Sequence, residues 1–331
     1  MSLEINSERE LKVSAILSAA SLRQFSSLLD LCFSVDEGSR FFDDFPIWDH
    51  SLKTERLMRF GIFHGDQLIC SCAIRHAALG NLCADSLPVA LIGAVATHPS
   101  WRGRGLASLL VNRALRWGEE QGAILAFLWG SEHSLYQRLG FELCGEQFRM
   151  PLRSLGLCDL TNSPDSGKIS RNWVPELYDL VRARSGGLSL TNDDRLWFEA
   201  HKNVEWFYLT NENNLEAYAA YGRGIDLQGI VHEWGGDKAS LRRILWQIYK
   251  TNPNAELLGP ASAVTDFEIP KKSVISEYLC MAKILKPGLF FSAAYPGISA
   301  KFSSASGEWE LIIGKRSLGF LTQNQLVKQC F

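Results

Sequence analysis

The chain has 331 residues, 46% of them hydrophobic, and a formal net charge of −2. That length leaves room for two or three domains, and a charge near zero without a basic patch argues against nucleic-acid binding. No apolar run reaches the roughly 18–20 residues of a membrane helix and no charged-then-apolar leader opens the chain, so it reads as soluble and cytoplasmic, without a membrane partner.

In chain order, Leu22, Phe25, Leu28, Leu29 and Cys32 recur at helical spacing and predict a helix over residues 21–33. An acidic segment through Asp49 comes next, holding Asp36, Glu37, Asp43, Asp44 and Asp49, and a second helix is expected over 52–59. Residues 60–63 and 68–74 read as a hairpin that turns at His64-Gly65-Asp66-Gln67. Residues 89–96, VALIGAVA, form a short, nearly all-apolar run that reads as a buried strand. After it stands the loop THPSWRGRGLA, and residues 107–118 read as a helix. Its expected apolar face is Leu109, Leu110, Ala114, Leu115 and Trp117, with Asn112, Arg113 and Arg116 toward solvent.

A glycine-rich loop between a strand and a helix N-terminus suits a pyrophosphate. The first helical amides lack intrahelical partners and the helix dipole is positive there, so Gly103, Gly105, Leu106, Ala107 and Ser108 can offer N–H groups to phosphate oxygens. Arg102 and Arg104 add charge. The plainer alternative is a turn with both arginines solvated. Residues 123–129 read as a further buried strand, and SEHSLYQRLGF follows it.

The spacing Arg102-x-x-Gly105-x-Ala107 resembles the acyl-CoA signature Q/R-x-x-G-x-G/A of the GNAT superfamily of N-acetyltransferases, and LYQRLGF resembles its Y-x-x-x-G-F element. The longer SEHSLYQRLGF resembles the tandem acetyltransferases of the enhanced intracellular survival (Eis) family. The resemblance implies acetyl-CoA as co-substrate, a primary amine of a small molecule or peptide as acceptor, and Tyr136 as the general acid that protonates the departing thiolate. A free tyrosine titrates near pH 10 and so carries a proton to give. It also implies that backbone groups of Val95, Ala96 and Thr97 pair with the pantetheine arm as an added strand would. The acidic segment is then expected to wall the acceptor cleft and attract a cationic amine, unless it is simply a solvated loop. His98 is read as a loop residue before Pro99. Trp48, Trp101 and Trp129 are candidate cleft walls or core residues, and His232-Glu233 a vestigial or inter-domain pair.

The expected fold is α/β (α+β): tandem GNAT folds, each a mixed sheet flanked by helices, with a short strand-rich C-terminal extension. Residues 1–155 form the catalytic unit, closed by a strand over 143–151, and the polar stretch 159–168 is a linker. Residues 165–287 form a degenerate second unit, with strands over 205–210, 215–221, 229–234, 256–258 and 278–285 and a helix over 238–250. Where the first unit has RGRGLA, the second has GGDKAS, which lacks the arginine and the R-x-x-G spacing. Residues 288–331 suit strands over 309–314 and 317–321 and a terminal helix over 322–331, a fragment of the family's sterol-carrier-like third domain. The eight cysteines, Cys32, Cys70, Cys72, Cys83, Cys144, Cys158, Cys280 and Cys330, have no zinc-like spacing and read as reduced thiols, so no metal is expected. Since the resembled family forms hexamers, a homo-oligomer is compatible with the resemblance. The alternative to an enzyme is a non-catalytic acyl-CoA-binding sensor or assembly module.

Overall fold

The computed structural model describes residues 11–33, 38–49, 51, 56–80, 86–157, 167–183, 187–224, 226–261, 274–294, 298–303, 308–313 and 316–321, with side chains to residue 293. Strand β1 (Leu11–Ala15) leads into helix α1 (Ala19–Cys32). Ser18 caps α1 by accepting from the Ser21 amide, and Phe25, Leu28 and Leu29 turn one face into the core. A one-turn helix α2 (Phe41–Asp44) and a 3-10 turn at Pro46–Trp48 precede three antiparallel strands, β2 (Leu57–His64), β3 (Gln67–Leu79) and β4 (Leu87–Thr97). Helix α3 (Leu106–Glu120) then returns the chain so that β5 (Leu125–Leu128) lies parallel to β4. Helix α4 (His133–Gln137) and strand β6 (Glu142–Pro151) follow.

A similar order runs again from strand β7 (Lys168–Arg171), through helices α5 (Leu177–Arg182) and α6 (Arg195–Glu199), to a hairpin of β8 (Glu205–Asn211) and β9 (Asn214–Tyr221). Its turn residues Glu212 and Asn213 both take positive φ, as a two-residue hairpin turn demands. Strand β10 (Ile230–Gly236), helix α7 (Lys238–Thr251), β11 (Glu256–Pro260) and β12 (Ile275–Ile284) complete it. Helix α8 (Pro287–Ala294) leads to a separate antiparallel sheet of β13 (Ile298–Ser303), β14 (Glu308–Ile313) and β15 (Arg316–Leu321).

The first twelve strands form one mixed sheet in the order β1-β2-β3-β4-β5-β12-β6-β11-β10-β9-β8-β7. Strand β12, read from the sequence as part of the second unit, lies between β5 and β6 of the first. Its side chains explain why it stays there. Cys280, Ala282 and Ile284 pack on the α1 side of the sheet, while Met281 packs on the α3 side, so a period-two strand is buried on both faces.

Several local expectations are corrected. The helix over 52–59 is not formed at its described end, where Leu57 to Arg59 belong to β2 and pair with Arg75, Ile74 and Ala73 of β3, a ladder that outweighs helical spacing. Lys168 belongs to β7 rather than to a linker. Leu109 is 48% exposed, its expected place on the buried face of α3 taken by Leu106 and Val111. Arg113 stacks over Phe60 at 5.1 Å instead of facing open solvent. Strand β13 was not expected. Residues 159–166 of the linker, the terminal helix over 322–331, Asp36, Glu37, Cys83, Cys158 and Cys330 lie outside the described residues.

The two halves meet along a polar seam. Arg75 of β3 pairs with Asp194, both side chains almost fully buried, and Asp194 also accepts from the Thr191 amide and hydroxyl at 2.7 and 3.0 Å. Arg56 donates to Thr191 Oγ1 at 2.8 Å. Farther along, Lys202 pairs with Asp43 at 2.6 Å and Asn203 donates to Asp44 at 2.7 Å. Burial, then the nearby Arg223 charge, holds His201 down to about 3 and His232 down to about 4.

Two outcomes follow from this seam. Asp194→Ala strands a buried guanidinium and should lower stability by about 3–5 kcal/mol in denaturant titrations. Both histidines are neutral when folded but titrate near 6.5 when unfolded, so between about pH 6.5 and 4 the unfolded chain binds more protons and stability falls as the pH falls. Urea midpoints at several pH values should show that decline, and a His201→Gln/His232→Gln chain should show a shallower one.

Candidate functional site

Strand β4 runs beside β3 but skips register once, since Ala73 faces Gly93 while Ser71 faces Ala96. The extra residue is a bulge. Ala94 takes a φ of 49° and its carbonyl accepts from Ser71 Oγ at 3.1 Å. On the other side, parallel pairing with β5 stops at Ile92 opposite Leu128. Beyond it the β5-facing edge of Gly93 to Thr97 has no strand partner among the described residues, as an extended ligand arm requires. Trp48 packs on Gly93, where an added Cβ would lie 2.2 Å from the indole, so only glycine fits.

The chain leaves β4 through a 3-10 turn, Pro99–Trp101, capped by His98, whose Nδ1 accepts from the Ser100 amide at 3.3 Å. That role accounts for His98 without chemistry. Gly103 and Gly105 then take φ of 76° and 74°, the left-handed region, with open space around both. Gly105 is the N-cap of α3 and offers no side chain to the helix, and no acidic residue stands in the first turn. The amides of Leu106, Ala107 and Ser108 thus point to an uncapped, positive helix end, the arrangement that binds phosphate. Arg102 Nε donates to the Thr97 carbonyl at 3.2 Å, which Cys32 Sγ also approaches at 3.4 Å. One of the expected backbone partners is therefore engaged, while Val95 and Ala96 stay on the open edge. Arg104 lies over the Trp101 ring at 4.5 Å.

Tyr136 sits on α4 with 8% exposure, its ring 6.1 Å from that of Phe141 and packed beside Gly130. Burial first, and then the neighbouring Cys72 and Glu132, pushes its hydroxyl up to about 12. Trp129, just after β5, is 58% exposed, whereas Trp48 is core. The turn after α4 is held from the far end of the chain, where Lys283 of β12 donates to the Leu139 carbonyl at 2.7 Å and lies against Gly140. Neither Lys283 nor Cys32 carried a signal in the sequence, because each acts through a partner more than sixty positions away.

Where it is described, the acidic segment is tied to the second half. Asp43 and Asp44 bind Lys202 and Asn203 of the second half, beside a cavity of about 390 Å³ that Asp44, Glu205, Tyr221 and Arg223 help to line. Burial pushes the Asp44 carboxyl up. Asp49 Oδ1 accepts from the Ser51 amide. His232 contacts the Gly222 carbonyl, and Glu233 accepts from the Tyr218 hydroxyl.

The corresponding place in the second half is built differently. Strand β10 pairs with β11 only at Ile230 and Val231, and the gap beyond is spanned by Trp234, whose indole donates to the Leu258 carbonyl at 2.9 Å. Helix α7 is capped by Asp237, which accepts from Ser240 N at 2.9 Å and is held below the usual carboxylate range first by that amide and also by those of Ala239 and Lys238. A carboxylate thus stands where α3 has an empty N-terminus. Asp-x-x-Ser at a helix start was a legible cap.

The acetyltransferase (GNAT) domain family matches residues 16–144. Among solved structures, the chain is similar to a probable N-acyltransferase from Enterococcus faecalis V583, with 17% identity and a TM-score of 0.67 over 95% of this chain and 85% of that one. It is also similar to a GCN5-related N-acetyltransferase from Anabaena variabilis (15%, TM-score 0.62, 95% and 85%). Eis1 from Mycobacterium abscessus is alike to a similar degree (15%, TM-score 0.62, 94% and 85%). At such identities the likeness is one of fold. No curated protein matches the chain. Residues 16–144, which hold the glycine loop and the uncapped α3, thus match the acetyltransferase (GNAT) domain family, and the chain shares its fold with N-acetyltransferases of known structure.

Proposed function

We propose that the protein transfers the acetyl group of acetyl-CoA to a primary amine of a small molecule or peptide in the cytoplasm, by direct attack and with Tyr136 as general acid. The observation that carries this reading is the pairing of an uncapped, acid-free α3 N-terminus with the open edge of β4 on one side of the same sheet. The first suits a pyrophosphate and the second an extended amide-bearing arm, and together they fit a CoA thioester. Leu106, Ala107 and Ser108 would bind the phosphates through their amides, with Gly103 and Gly105 shaping the loop and Arg102 and Arg104 adding charge. Val95 and Ala96 would hold the arm.

Chemistry then needs little beyond position. An amine arriving neutral attacks the acetyl carbonyl, the C–S bond breaks, the departing thiolate takes the Tyr136 proton, and the proton lost by the acylated nitrogen passes through solvent to restore the Tyr136 hydroxyl. A hydroxyl held up to about 12 stays protonated at neutral pH and donates only when a strong base forms beside it. The second half, with Asp237 at its helix end and Trp234 across its gap, supports the reading of a degenerate acetyltransferase unit without a CoA site.

Tyr136→Phe should lower kcat by about 100-fold while leaving CoA affinity within twofold; unchanged turnover with an acetyl-CoA and amine panel would remove Tyr136 from the mechanism. Calorimetry on Arg102→Ala/Gly105→Asp, which places a carboxylate at the α3 N-terminus, should show CoA affinity reduced at least tenfold. Equal affinity would move the cofactor away from this loop.

A further inference from the structure

Cys280 of β12 stands directly opposite Cys144 of β6. The two Sγ atoms are 3.6 Å apart and the residues are 8% and 3% exposed. Residues facing each other in an antiparallel pair have Cα atoms about 4.5 or 5.5 Å apart, and a disulfide spans roughly 4.4–6.8 Å. Side-chain rotation is therefore enough to bring the sulfurs to bonding distance. Among the described residues these are the two thiols in hydrogen-bond contact with each other; Cys32 and Cys70 contact Thr97, and Cys72 is core.

The position of the pair gives it a consequence. Strand β12 pairs with β6 from Ile275, but with β5 only from Met281. Residues 275–279 are exposed and have one neighbour strand among the described residues, while Met281 and Ala282 are buried between two. Cys280 is the last residue before the strand becomes doubly paired. The singly paired end opens first, and its opening admits a reagent to sulfurs that are otherwise buried.

We propose that Cys144 and Cys280 form a reversible disulfide site, oxidised by low-molecular-weight disulfides such as oxidised glutathione, that staples β12 to β6. Either sulfur can donate to the other across this contact; with Cys280 as donor, ionisation of Cys144 is eased and Cys144 is the attacking thiolate. The Cys144 sulfur attacks one sulfur of R–S–S–R, giving a mixed disulfide and R–S⁻, which takes the proton Cys144 lost. The Cys280 sulfur then attacks the Cys144 sulfur, its proton passing to the second R–S⁻. Two protein thiols and one R–S–S–R thus give one protein disulfide and two R–SH. Because the bridge closes a long loop of chain, it restricts the unfolded state and holds the fraying end of β12.

The test uses the reduced full chain, incubated with oxidised glutathione at neutral pH, quenched with N-ethylmaleimide, and digested for mass spectrometry without reductant. The expected product is a Cys144–Cys280 linked peptide lighter by two hydrogens, reversed by dithiothreitol, and accompanied by a Tm several degrees above that of the reduced chain. Cys144→Ala and Cys280→Ser should each abolish the linkage and the shift; if either fails to fold, the wild-type peptide map and melting curve decide alone. Glutathione adducts on these cysteines without a link, no reaction at either while Cys32 is modified, or a link that leaves Tm unchanged or lower would each overturn the proposal.

Discussion

The site in the amino-terminal half depends on a strand made from the far end of the chain. Strand β12 fills the gap between β5 and β6. Without it both would present open ladders, since among the described residues β5 has only β4 and β6 only β11 as other partners. The dependence extends to the chemistry. Met281 packs in the cluster that holds Tyr136 and Phe141, Lys283 ties down the Leu139 carbonyl after α4, and the Leu285 amide donates to the Ile124 carbonyl at the start of β5. The hydroxyl at the centre of the proposed mechanism is therefore held at a fixed depth by residues more than 140 positions downstream.

A comparison of the two halves shows how little separates an open helix end from a closed one. Both have a strand, a glycine-containing loop and an amphipathic helix in the same order. At α3 the cap is Gly105, whose positive φ admits the sharp entry and whose missing side chain leaves the first amides free. At α7 the cap is Asp237, whose carboxylate accepts from those amides and so neutralises the helix end internally. The strands part in both halves as well, but the opening at β10 holds the Trp234 indole. A single acidic cap and one indole turn a ligand-binding geometry into a self-contained one.

What the sequence disclosed follows from the range of the interactions involved. The glycine loop, the apolar strand before it and the Tyr136 element were legible because each is a local pattern of side chains, and the hairpin at Gly65 and Asp66 was legible for the same reason. The destination of β12 was not, because its alternation of buried faces specifies a strand but not its neighbours. The partners of the acidic segment were not legible, because Lys202 and Asn203 reach Asp43 and Asp44 from the other half. Leu109 was misassigned because a helix with apolar residues at 106, 109, 110 and 111 has more candidates than its buried face can hold. The Cys144–Cys280 contact was invisible for the same reason as the β12 crossover that creates it.

The crossover also orders events in time. A ribosome releases the glycine loop and Tyr136 early, yet the sheet that supports them stays incomplete until residues 275–284 emerge. Until then the nascent chain carries unpaired edges at β5 and β6, a hazard during synthesis, and the long-range closure that follows is slow compared with helix or hairpin formation. The second half is thus a condition for finishing the first, so the support for the glycine loop and Tyr136 is complete only after residues 275–284 have been made.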